Sequence, residues 1–79
     1  MSRIGKVLIN ALKAKYEADI SCAKSNIQIY IENPTGIGDH ADLVTAVDGE
    51  VTKLCAAQDK LNVLNEHFNY VDGTGFTNV

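Results

Sequence analysis

One proline governs what this chain can fold into. Pro34 is the only proline in 79 residues, and it separates two long segments that each carry an apolar residue about every 3.5 positions. Proline fixes φ, offers no amide hydrogen and disfavours helical geometry at the residue before it. A helix arriving from the N-terminal side therefore ends near Glu32, and Thr35-Gly36-Ile37-Gly38 supplies turn material with two positions free to take positive φ.

The first segment, about 2–32, places apolar residues at Ile9, Leu12, Tyr16, Ile20, Ala23, Ile27 and Tyr30. That spacing is a helix–helix seam, and Gly5 is the one breaker in it. Strand alternation fits only Ile27–Ile31, and a strand there finds no partner elsewhere in the sequence. The second segment repeats the pattern at Leu43, Val47, Val51, Leu54, Ala57, Leu61, Leu64 and Phe68. Asp39 has the chemistry of its N-cap, since a carboxylate accepts from the free amides of a first turn. Asp42, three residues on, gives a short version of the capping box and complements the helix dipole. Gly49 is the weak point of this helix, costing ~1 kcal/mol relative to alanine in a helix interior.

The reading is an all-α fold, an antiparallel two-helix hairpin over residues 1–68 (helix about 2–32, turn 33–38, helix about 39–68). Residues 69–79 lose the period and read as a flexible C-terminal tail. With the turn centred near Gly36, Cys22 faces Glu50, Cys55 faces Glu17, and Gly49 lies against Ala23.

Two helices sharing one seam leave apolar residues uncovered: Val7, Leu8, Ala11, Ala18, Ile29 and Ile31 on the first, and Val44, Ala46, Cys55 and Val63 on the second. A chain this short buries a modest fraction of its surface. The apolar share, 46%, is carried by Ala, Val, Ile and Leu with no tryptophan, which suits further helix packing. A homodimer of hairpins forming a four-helix bundle is the simplest solution.

Charge is divided along the chain. Through Lys24 there are five bases and two acids; from Ser25 onward there are two bases and eight acids. Antiparallel helices would set the basic half beside the acidic half, an effect that selects orientation more than it supplies stability. The net charge of −3 disfavours nucleic acid as a partner. A stripe of Arg3, Lys6, Lys13 and Lys24 is better read as a solvated face, because no aromatic residues interleave with it.

Candidate chemistry is sparse. His40 beside Asp39 and Asp42 reads as capping and surface polarity, and His67 beside Glu66 as a cation favoured at a helix C-terminus. Neither histidine has a ligand partner at zinc spacing. Thr35–Asp39 lacks the lysine, the strand and the glycine spacing of a phosphate loop, and Asp39 would repel phosphate. Cys22 and Cys55, without CxxC spacing, read as reduced packing residues. No catalytic, cofactor-binding or metal residue is assigned, and no enzyme is expected. No run approaches the ~20 apolar residues of a membrane helix, so a soluble, intracellular protein is expected.

The stretch Glu32-Asn33-Pro34-Thr35-Gly36-Ile37-Gly38-Asp39-His40 resembles small uncharacterised proteins of T4-like tailed phages, those of marine cyanophages especially. The likeness covers about nine residues and extends only in general character into the acidic helix that follows. It implies a virus-encoded protein acting in the cytoplasm of the bacterial host or in the virion, and carries no assigned activity. The architecture is also similar to the plasmid-encoded Rop hairpin, an RNA-binding four-helix dimer, as a fold-level analogy only. The leading expectation is a non-enzymatic helical interaction protein that self-associates and binds or modulates a host or phage protein. A Rop-like nucleic-acid-binding regulator and a minor structural or assembly component of the phage particle are the alternatives.

Overall fold

The structure, a computed structural model, describes residues 2–33 and 42–69. It is all-helical there, with α1 spanning Arg3–Glu32 and α2 spanning Leu43–His67. At 1.5 Å per residue these are rods of ~45 and ~37 Å, packed side by side as a hairpin.

Local chemistry sets the ends. The Ser2 hydroxyl accepts a hydrogen bond from the Gly5 amide at 3.1 Å, while the Ser2 carbonyl accepts from Lys6 at 3.0 Å. Serine is a preferred N-cap for this reason. At the other end Asn33 leaves helical geometry (φ −141°, ψ 59°) while its amide still donates to the Ile29 carbonyl. The exit falls one residue before Pro34, as proline demands. α2 is entered through Asp42, whose side chain makes no capping hydrogen bond. The N-cap expected at Asp39, the turn residues 34–38 and the tail beyond Asn69 lie outside the described residues. α2 closes at Phe68, whose amide donates to the Leu64 carbonyl at 2.8 Å.

The seam follows the expected pattern with one exchange in each helix and the loss of Phe68, which is 40% exposed where α2 ends. Ala23 and Ala57 are buried, and Ile9, Tyr16, Ile20, Ile27 and Tyr30 on α1 and Leu43, Val47, Leu54, Leu61 and Leu64 on α2 are half-buried. Leu12 and Val51, however, are 38% and 40% exposed, and Lys13 and Glu50 take their places at intermediate burial. Geometry explains the exchange. Following apolar residues alone forces two equal steps in succession, whereas a continuous seam alternates steps of three and four. Ile9-Lys13-Tyr16-Ile20 and Val47-Glu50-Leu54-Ala57 keep that alternation. A lysine tolerates the position because its alkyl stem covers apolar surface while its ammonium reaches out; Lys13 Nζ donates to Asn69 Oδ1 at 3.3 Å.

The register also differs from the expected one. Glu50 lies opposite Asn26, four residues or one helical turn further along α1 than Cys22. Gly49, expected against Ala23, is exposed, and a Cβ built on it meets nothing within 4 Å. The small residues buried in the seam are instead Ala23 and Ala57. Gly49 simply carries its helix cost.

Candidate interaction surface

Three surfaces arise from this packing: a groove on each flank of the seam, and the outer faces of the helices. The first groove, about 330 Å³, is lined by Tyr16, Asp19, Asn26, Glu50, Lys53 and Lys60 among others. Its centre is polar and connected. Asn26 Nδ2 donates to Glu50 Oε1 across the helices at 3.0 Å, and Lys53 Nζ holds the other carboxylate oxygen at 3.2 Å. The Glu50 side chain is only 13% exposed. The hydrogen bond from Asn26, and then that from Lys53, hold its carboxyl below the usual glutamate value, against a smaller opposing effect of burial.

In this groove the Tyr16 ring is approached by two ammonium groups. Lys60 Nζ reaches over it from α2 at 5.6 Å from the ring centroid, and Lys15 Nζ from its own helix at 5.7 Å. Such contacts are worth about 0.5–1 kcal/mol at exposed sites. Lys15 also pairs with Asp19 at 2.9 Å, and that hydrogen bond raises the lysine pKa above its ordinary value.

The opposite groove is lined by Ile20, Lys24, Leu54, Cys55, Gln58 and Asp59, with Asn62 at its rim. Both thiols are free and exposed, and they open into different grooves, Cys22 into the first and Cys55 into the second. The side-chain partner of Cys22 is the Asn26 amide at 3.9 Å, a donor and not a base that could activate it.

The other residues singled out in the sequence are scattered. Asp42 is exposed at the start of α2, while Asp39 and His40 lie outside the described residues. His67 Nε2 sits 3.6 Å from Glu66 at the end of α2. Among the described residues no three His, Cys, Asp or Glu side chains group as a metal site, and no helix is long and apolar enough to cross a membrane. Of the basic stripe, Lys13 is half-buried in the seam and Lys24 borders the second groove.

The outer faces of the two helices differ. On α1, Ile4, Val7, Leu8 and Ile29 are 56–73% exposed, with Ala11, Ala14, Ala18 and Cys22 exposed between them. On α2 the corresponding outer positions are Thr45, Asp48, Thr52, Cys55, Ala56, Asp59, Val63 and Glu66, a mainly polar set, with Val44 and Val51 exposed on its flank. Sequence reading named most of the α1 residues as lying off the seam but did not join them into one stripe. The signal was present: they recur at steps of three and four, interrupted by Ser25 between Cys22 and Ile29.

No protein-family model, curated protein or solved structure matches this chain.

Proposed function

We propose that this chain is a non-enzymatic, phage-encoded helical interaction protein that self-associates and, in that form, binds or modulates a host or phage protein. The observation that carries the reading is the mismatch between what the hairpin buries and what it exposes. Among the described residues the buried core consists of Ala23 and Ala57, while ten larger apolar side chains, from Leu12 at 38% to Val44 at 78%, stand in solvent. Below about 70–80 residues one core rarely supplies more than ~3–5 kcal/mol, and oligomerisation is a common remedy. Apolar surface on this scale is the mark of a protein-binding face. The phage affiliation rests on the turn segment Glu32–His40, and the four-helix assembly rests on the width of the apolar surface.

Sedimentation equilibrium at micromolar concentration tests the reading. The expected result is a species of about twice the 8.5 kDa chain mass. A monomer with a cooperative thermal transition would sink it, because the isolated hairpin would then be sufficient.

A further inference from the structure

We propose that the outer face of α1 is the contact surface for a second copy of this chain, packed antiparallel so that the two α1 helices form the centre of a four-helix layer. This rests on the self-association proposed above and specifies its geometry.

Position comes first. At ~100° per residue the stripe Ile4-Val7-Ala11-Ala14-Ala18-Cys22-Ile29 is centred roughly 150° around α1 from the seam. A partner seated there cannot also touch α2 of the same chain, so the order becomes α2, α1, the partner's α1, the partner's α2. The outer face of α2, more polar than that of α1, suits the solvent side of such a layer. A helix apolar on two opposite faces is one covered on both.

The choice of a second copy follows from self-complementarity. A two-fold axis sets each residue of the stripe against one of complementary number on the partner. When Ile4 is placed against the partner's Ile29, Ala11 meets the partner's Cys22, and the alanines at 14 and 18 meet at the axis. Large side chains then pack at both ends, and small ones permit close approach in the middle. The same operation brings like flanks together. On one flank Lys15 meets the partner's Asp19, joining two exposed intrahelical pairs into a four-membered network. On the other flank Arg3 meets the partner's Glu32. Opposite charges at both flanks give the antiparallel face a preferred direction and a preferred partner.

The test is disulfide mapping combined with sedimentation, using Ala11→Cys in a Cys55→Ser background, with Cys55→Ser alone as control. Positions 11 and 22 are ~16 Å apart along one helix, too far for a bridge within a chain. Any bridge between them is therefore intermolecular. The expected result is a covalent dimer whose non-reduced peptides join Cys22 to position 11, with little bridging in the control. A non-covalent dimer without that bridge, or a Cys22-to-Cys22 bridge in both variants, would overturn this face and direction while leaving self-association intact. A monomer overturns both. Ala18→Glu, which adds a charge at the axis but at an exposed position of the hairpin, should raise the dimer dissociation constant by about tenfold or more without loss of helix content in the monomer. An unchanged constant would equally overturn the proposal.

Discussion

Asn26 and Glu50 meet across the hairpin at 3.0 Å, a polar pair within a seam made, apart from Lys13, of alanines, aliphatic side chains and tyrosines. Lys53 also holds the carboxylate and the amide also reaches Cys22 Sγ at 3.9 Å, but across the helices each is bonded to the other. A covered polar group left without a partner is costly, whereas replacing both members by apolar residues of similar shape can be neutral or stabilising. Asn26→Leu should therefore lower the melting temperature, and Glu50→Leu should lower it less, because it frees only an amide. The double leucine variant should melt above Asn26→Leu and near the native protein. Thermal melts followed by circular dichroism measure this. A double variant less stable than either single one would mean that the pair contributes net stability.

The same carboxylate sets an acid limit. Its pKa is held below the usual glutamate value by Asn26 first and Lys53 second, so the folded state binds its proton less readily than the unfolded chain. The resulting stability is fully present above the ordinary glutamate value of ~4.3 and is lost as pH falls through the folded value. Glu50→Gln keeps an acceptor for Asn26 but cannot titrate. Its melting temperature should lie below that of the native protein near neutrality, and the gap should close below about pH 4. A gap that stays constant across that range would assign the stability to packing instead.

At the N-terminus, the Ser2 hydroxyl satisfies the Gly5 amide, while Asp42 makes no such bond at the head of α2. Ser2→Ala should cost ~0.5–2 kcal/mol, and Ser2→Asp should retain most of the cap. Asp42→Ala should cost less than Ser2→Ala. Urea denaturation of the three variants gives the comparison, and amide exchange at Gly5 locates the effect in the first turn of α1.

Gly49 offers a stabilising substitution. An added Cβ meets nothing within 4 Å, and the residue sits inside α2 on an exposed face. Gly49→Ala should raise stability by up to ~1 kcal/mol through helix propensity alone, and Gly49→Leu should be comparably tolerated. Destabilisation by leucine but not by alanine, again in urea, would restore the close contact with Ala23 that the sequence suggested.

That glycine illustrates where reading the sequence stopped. The fold class, the length of α1 and its end before Pro34 were legible, because a proline stop and a 3.5-residue period are local signals. Most of the seam was legible for the same reason. Lys13 and Glu50 were missed because a search for apolar residues skips a polar one even where the geometry requires it. The register was displaced by a turn because it was counted from Gly36, and a loop of two glycines does not fix where the helices begin to face each other. The outer stripe of α1 was visible as separate residues, and becomes one surface only when the seam position is known.

The two thiols give the last test, and its physical basis has changed with the register. Counted from Gly36, Cys22 and Cys55 are offset along the axis by about five residues, ~7.5 Å at the helical rise. With Asn26 opposite Glu50 and Tyr16 near Lys60, that offset disappears and the cysteines stand at nearly the same level. They are instead kept apart sideways. Cys22 borders the groove that contains Asn26 and Lys53, and Cys55 borders the one that contains Ile20 and Lys24. Neighbouring helix axes lie ~8–10 Å apart, and side chains turned to opposite flanks widen the gap beyond the ~7 Å Cα separation a disulfide can span. Mild oxidation of the folded protein should therefore give no intramolecular bridge. In the monomer both exposed thiols should react with a maleimide, and Cys22 should slow relative to Cys55 as the chain dimerises. Recovery of a Cys22–Cys55 peptide from a folded single chain under non-reducing conditions would mean that the helices are rotated about their axes relative to this packing.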